Sequence, residues 1–176
     1  MLFSRLLTTQ AQQQAAEKAT AAGKVKAVTV MAPLNGRVIP LDEMPSAVFT
    51  QRLLGEGVAM EPSGYQVFSP IAGKVEKLDS TGEQIRIKNS SGLQVLIHIG
   101  TDTKRLMGES VKFHAKEGSS VALNAPLLDF NLTLFKRNLP STLVAITVLN
   151  SNKTKGIIPH YRSVLAKEDS VFTVYI

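Results

Sequence analysis

From Lys24 onward, short runs rich in valine and isoleucine alternate with Pro, Gly, Asn and Ser. That spacing predicts an all-β sandwich or barrel of antiparallel strands with few short helices. Two runs lie close together. Ile85-Arg86-Ile87-Lys88 is separated from the run starting at Leu93-Gln94-Val95 by Asn89-Ser90-Ser91-Gly92, and the pair reads as a hairpin. Along the second run the side chains alternate, so Val95, Ile97 and Ile99 point one way and Gln94, Leu96 and His98 the other. Simple closure of the loop pairs 88 with 93, 85 with 96 and 83 with 98, which sets Glu83 across from His98. Facing residues of this kind have Cβ atoms about 4.5–5.5 Å apart. A slip of one residue would send one partner to the opposite face.

An internal repeat strengthens the β reading. Ala32 to Asp42 and Ser69 to Asp79 share Pro, Gly, Val, Leu and Asp at identical offsets, which predicts a duplicated strand-turn-strand motif. In each copy proline excludes central ladder pairing at its own position, and glycine allows a tight or bulged turn. Before the repeat, residues 2 to 7 place Leu2, Phe3, Leu6 and Leu7 on one helical side, and Gln10 to Ala22 is rich in Gln and Ala with few large apolar groups. Residues 1–23 are therefore read as an N-terminal tether, amphipathic or disordered and helical at most in part, with Gly23 as its end. Residues 24–176 form one β domain that closes on a strand from Val171 to Ile176.

Composition adds bounds. With 176 residues and 44% hydrophobic content there is enough chain for one well-filled core. The absence of cysteine removes disulfides and thiolate metal sites. The early Leu-Phe-x-x-Leu-Leu cluster is too short for a secretory signal or a membrane span, so a cytoplasmic location is expected, with weak membrane contact through residues 2–7 as an alternative to a free tail. A net charge of +6 could draw anionic partners, but the basic residues are dispersed, tryptophan is absent and only 6% of residues are aromatic. Neither stacking aromatics nor a recognition helix is present, so nucleic acid is not expected as a partner.

The chemistry concentrates after the hairpin. His98 is held by a strand, Gly100 lets backbone approach a ligand closely, and Thr101, Asp102 and Thr103 supply short polar groups, a reasonable setting for a nucleophile. His98 with Glu83 is too small a ligand set for zinc, and His114 and His160 have no ligand spacing to it or to one another, so no metal site is expected. There is no Gly-x-Ser-x-Gly elbow, and Gly55-Glu56-Gly57 lacks the Lys-Ser/Thr of a nucleotide loop and reads as a turn.

His-x-Gly-x-Asp-Thr-x-x-Leu-x-Gly, from His98 to Gly108, resembles the signature of the glucose-type IIA component of the bacterial phosphoenolpyruvate-dependent sugar phosphotransferase system. Met31 to Gly36, Met44 to Met60, Phe68 to Gly73, Glu117-Gly118 and Pro126 to Phe130 are similar in order and spacing, so the resemblance spans roughly residues 28 to 150, a length typical of one domain. It implies pseudo-twofold β architecture, no cofactor, and a cytoplasmic phosphocarrier in which His98 accepts a phosphoryl group from the HPr protein and passes it to a membrane sugar permease IIB/IIC. Thr81 matches the family's threonine, but Glu83 stands where the family has a second histidine. Val48, Phe49, Leu53 and Leu96 match its apolar docking surface, whereas Asp79 and Lys104 fall where apolar residues are common. Zinc endopeptidases of related β fold need an additional His-x-His pair, and this chain has none.

Phosphoryl transfer through histidine requires a neutral imidazole whose other ring nitrogen is fixed by a hydrogen bond. Backbone N–H groups from Gly100 to Asp102, the Thr101 hydroxyl, and Arg86 or Lys104 are candidate stabilisers of the phosphoryl oxygens. Glu83 opposes the reaction by favouring the protonated ring and repelling an arriving dianion, or it orients the ring through a hydrogen bond. The alternative function is a regulatory module, impaired in phosphorylation by Glu83, that docks on transporters or metabolic enzymes.

Overall fold

The computed structural model describes Leu6, Leu7 and residues 9–176. The fold is mostly β, with antiparallel sheets packed together and a few short helices. The largest sheet has eight strands in the spatial order Ser163–Val164, Gly36–Pro40, Glu56–Pro62, Val144–Val148, Gln94–Ile99, Gln84–Lys88, Gly73–Leu78 and Ser120–Val121. Two three-stranded sheets complete the molecule. One is Ala27–Met31, Ser170–Tyr175 and Gly156–Pro159, and the other is Gln66–Phe68, Pro126–Phe130 and Val111–Phe113.

The order of the large sheet is palindromic about its two central strands, and the sequence repeat shows why. Gly36 and Gly73 each open a strand, and each lies where a Cβ would strike the carbonyl oxygen of the neighbouring strand, that of Glu61 in one copy and Lys88 in the other. Between the copies the backbone exchanges matched hydrogen bonds: the Met31 N–H donates to the Pro70 carbonyl at 3.0 Å, and the Phe68 N–H to the Pro33 carbonyl at 2.7 Å. The Val38 N–H donates to Arg162, as its counterpart Val75 does to Ser119. Carried strand by strand through the pairing, this rotation brings Glu61 onto Lys88, Glu56 onto Glu83, and Thr147 onto His98.

Alternation of side chains gives the large sheet two buried faces at its centre. One face carries Val58, Met60, Ile85, Ile87, Val95, Ile97, Ile99, Val144, Ile146 and Val148 into the main core, where all of them are essentially inaccessible to water. On the other face Ile39, Ala59, Leu96 and Ala145 pack beneath residues 41–54, which contribute Leu41, Met44, Phe49 and Leu54. That segment is a short 3₁₀ turn, Leu41–Glu43, followed by one helical turn, Ala47–Thr50. Its apolar residues lie over the sheet because leaving a sheet face of this composition in water would forfeit roughly 25 cal/mol per Å² of apolar surface.

The hairpin exists, but its register differs by one residue from the sequence expectation. Lys88 pairs with Gln94, Ile85 with Ile97 and Gln84 with His98. Residues 89–93 form the loop: Asn89 Oδ1 accepts from the N–H groups of Ser91 and Leu93, and Leu93 turns inward to join the core instead of pairing with Lys88. Burial of a leucine outweighs the shorter loop.

At the N-terminus, Gln10–Ala21 is a helix with no buried residue, opened by a capping box between Thr9 and Gln12 and followed by Gly23 at φ +68°. Leu6 and Leu7 are not on a helical side, contrary to the expectation for residues 2 to 7. Leu6 forms a parallel bridge with Ile157, and the Leu7 N–H donates to the Ile157 carbonyl at 2.7 Å. Leu2 and Phe3 lie outside the described residues. No helix among the described residues is long and apolar enough to cross a membrane.

Gly36→Ala and Gly73→Ala are each expected to lower folding stability by about 1–3 kcal/mol, the usual range for overpacking. Denaturant unfolding measures both. An unchanged midpoint for either variant would contradict the close backbone approach at that strand.

Candidate functional site

His98 is the fifth residue of Gln94–Ile99 and pairs with Gln84 on one side and Ala145 on the other. It points to the face covered by residues 41–54. There its ring meets Phe49 edge-on, with centroids 5.1 Å apart and planes at 76°. Its side chain retains 13% of its accessible surface, so the ring is largely desolvated but still open at an edge.

Glu83 reaches the ring in spite of the corrected register. It lies just before the strand Gln84–Lys88, in a bend that follows Gly82 at φ +78°, so the strict alternation of the strand does not apply to it. Its Oε1 stands 3.5 Å from His98 Nε2, while Oε2 accepts a 2.9 Å hydrogen bond from the Lys104 N–H. Its carbonyl accepts from the Ile99 N–H at 2.9 Å, which ties it to the end of the histidine strand. The carboxylate is thereby contacted on both oxygens, and its backbone is tied to the histidine strand.

Beyond His98 the chain turns sharply. Gly100 has φ +72°, and a Cβ there would approach Thr103 Oγ1 to 2.7 Å. Thr103 is fully buried and donates its hydroxyl to the Ile99 carbonyl at 2.5 Å. The N–H groups of Gly100 and Thr101 donate to the carbonyls of Leu143 and Ser141. Those two donors are already engaged in the fold, which corrects the expectation that they stabilise phosphoryl oxygens. Asp102 adopts a left-handed conformation at φ +60°, and its carbonyl receives the Arg105 N–H.

The remaining candidates divide between rim and support. The Thr81 hydroxyl donates to Asp79 Oδ1 at 2.7 Å, as does its N–H, and these bonds hold the Asp79 carboxyl below its ordinary range. Arg86 is paired beside Leu96 and Lys77, and its Nε is buried with no hydrogen-bond partner. Of the four expected docking residues, Val48 and Leu53 are exposed, at 39% and 66%. Phe49 and Leu96 are buried instead, a correction that follows from their position under the covering segment. Met107, 82% exposed in the turn after His98, adds an apolar residue that sequence reading passed over. Also passed over is Arg52, whose charge partners Asp42 and Glu56 lie ten residues before it and four after. The Arg52/Glu56 spacing was the one visible signal.

Burial pushes the His98 pKa below its ordinary value of 6.5. The Glu83 carboxylate opposes that shift most strongly, followed by the backbone near Gly100 and by Asp79. Nδ1 is buried, and no partner of ordinary hydrogen-bond geometry reaches it. At neutral pH the ring is therefore uncharged, with Nε2 facing a carboxylate, and the hydrogen bond expected to fix the other ring nitrogen is not made at Nδ1. Among the described residues no group of three His, Asp or Glu side chains could hold a metal ion. A cavity of about 690 Å³, lined by residues including Tyr65, Lys112, Asp129 and Asn131, contains none of the residues around His98. It has no part in this chemistry.

Comparison with known proteins identifies the family. Residues 28–154 match the model of the family described as phosphoenolpyruvate-dependent sugar phosphotransferase system, EIIA 1. The chain is 35% identical over 132 residues to the glucose-specific EIIA component of the phosphotransferase system of Oceanobacillus iheyensis, covering 75% of this chain and 80% of that protein. It is 32% identical over 152 residues to the corresponding component of Staphylococcus epidermidis, covering 86% and 92%. Among solved structures it resembles glucose permease IIA from Mycoplasma capricolum, with a TM-score of 0.78 at 29% identity, over 84% of this chain and 96% of that one. Signature, fold and similarity converge: the chain belongs to the EIIA 1, glucose-type IIA, family of the phosphoenolpyruvate-dependent sugar phosphotransferase system.

Proposed function

We propose that this chain is a cytoplasmic phosphocarrier that accepts a phosphoryl group from HPr on His98 and delivers it to the IIB/IIC components of a membrane sugar permease. The observation that carries this reading is the uncharged, partly open imidazole of His98, clamped between Phe49 and Glu83 at the end of a central strand. In the accepting step the lone pair of Nε2 attacks phosphorus, the new N–P bond forms, and the donor's bond to phosphorus breaks with its electron pair remaining on the donor. The attacking tautomer carries its proton on Nδ1, where it stays as the N–P bond forms. Positioning and electrostatics carry such a transfer, since the protein has little covalent work to do. Val48 and Leu53, on the segment that covers the ring, present apolar surface to the donor protein.

Glu83 sets the balance between acceptance and donation. A carboxylate 3.5 Å from Nε2 favours a proton on that nitrogen and repels a dianionic phosphoryl group. Its second oxygen is occupied by the Lys104 N–H, so it cannot swing aside without giving up that bond. Transfer is accordingly slower than it would be with an imidazole at this position. The same anchoring favours the second reading, in which the chain is a regulatory module that docks on transporters or metabolic enzymes without carrying phosphate.

Incubation with phosphoenolpyruvate, enzyme I and HPr, followed by intact-mass measurement under alkaline conditions, separates the two readings. A phosphoryl addition that disappears in His98→Ala is expected. Absence of the addition in the wild-type chain would leave the regulatory reading.

Glu83→His is expected to speed donation to the permease by about tenfold, equivalent to roughly 1.4 kcal/mol at the transition state. Equal rates in a single-turnover assay would show that the carboxylate does not limit transfer. For pH, the accepting form is the neutral ring, so the acceptance rate is expected to be flat above 6.5 and to fall only as pH drops through the lowered His98 pKa. Glu83→Gln removes the strongest influence opposing burial and is expected to move that fall to still lower pH. An NMR titration of the His98 ring checks the direction, and an upward move would contradict it.

A further inference from the structure

The segment that covers His98 is closed by a single guanidinium. Arg52 Nε donates to Glu56 Oε2 at 3.0 Å, Nη1 donates to the carbonyls of Phe49 and Thr50 at 3.1 and 2.9 Å, and Nη2 donates to both carboxylate oxygens of Asp42 at 3.0 and 2.9 Å. All three nitrogens of the group are engaged. The contacts join the start of the segment at Asp42, the end of its helical turn at Phe49 and Thr50, and the first residue of the strand that follows, Glu56. Arg52 itself sits at φ +59°, a left-handed conformation that costs a non-glycine residue energy and persists only where surrounding contacts hold it. Its side chain is 18% exposed and that of Glu56 only 8%.

The consequence falls on the imidazole. Phe49, whose carbonyl Arg52 grips, is the residue whose ring lies edge-on to His98 at 5.1 Å. We infer that Arg52 is a positioning residue for His98: by fixing the backbone at Phe49 and Thr50 it holds the phenyl ring against the imidazole and so sets the orientation and the shielding of the reacting ring. This inference rests on His98 being the phosphoryl acceptor, but its physical core concerns only the two rings. Lysine cannot reproduce the arrangement, because an ammonium offers three donors without the planar fork. The shielding has a measurable signature. Burial is the largest influence on the His98 pKa, and the groups that act against it, Glu83, Asp79 and the backbone near Gly100, stand outside the segment that Arg52 closes.

The test uses the full chain as wild type, Arg52→Gln, Arg52→Lys and Asp42→Asn, with thermal unfolding to establish that each is folded. NMR titration of the His98 ring is expected to show the Arg52→Gln midpoint moved upward toward the ordinary imidazole value, with Arg52→Lys lying between it and wild type. In single-turnover acceptance from phosphorylated HPr, the rate at saturating donor is expected to fall by about tenfold in Arg52→Gln, as for a sub-ångström misplacement of the attacking ring. A purely structural role would lower the unfolding temperature and leave the titration midpoint where it was, and that result overturns the inference. Should Arg52→Gln fail to fold, Asp42→Asn and Arg52→Lys are expected to shift the midpoint upward by less, and wild-type midpoints in both overturn it equally. If wild type accepts no phosphoryl group, the carrier reading fails on its own account, and the titration still decides the role of Arg52.

Discussion

The two strands at the centre of the large sheet, Val144–Val148 and Gln94–Ile99, have apolar material on both faces, and every residue of Val144–Val148 is buried. A sheet whose two faces are both apolar must be covered twice. The main core covers one face, and residues 41–54 cover the other with Leu41, Met44, Phe49 and Leu54. His98 stands at the margin of that second layer. Its shielding, its depressed pKa and its contact with Phe49 all descend from the need to keep water off the outer face of the central pair.

Pseudo-symmetry relates the surroundings of His98 to a different set of contacts in the other half of the duplicated architecture. The rotation that superposes the repeats brings Thr147 onto His98 and Glu56 onto Glu83. On the first side the threonine hydroxyl donates to the Leu54 carbonyl, and the glutamate takes the Arg52 guanidinium, so both polar groups are used to anchor the covering segment. On the other side the histidine lies at an open margin, and its glutamate receives the Lys104 N–H. Equivalent positions hold an anchor in one half and a histidine–glutamate pair in the other. The difference is that Thr147 and Glu56 hydrogen-bond to the covering segment, whereas His98 meets it only through the edge of Phe49.

Much of this was legible in the chain. Alternation of apolar residues marked the hairpin, shared offsets of Pro, Gly, Val, Leu and Asp marked the duplication, and the signature around His98 marked the family. The register was not legible, because the loop of residues 89–93 is lengthened by the inward turn of Leu93, a choice made by the core and not by local turn chemistry. Nor was the path by which Glu83 meets His98, since a bend after Gly82 takes it out of strand alternation. Phe49 and Leu96 looked like surface because nothing local in the sequence says that residues 41–54 fold back over the sheet.

The sequence by itself determined which residue types recur at which period, and hence the β class, the repeat, and the presentation of one histidine at a strand end beside a glycine turn. Only the tertiary structure decided that this imidazole is shielded by Phe49, that Glu83 is pinned by a backbone N–H, and that Arg52 ties the cover shut. Those are contacts between segments far apart in the chain. Their geometry is set by how two buried faces are filled, a long-range packing condition that no local pattern records.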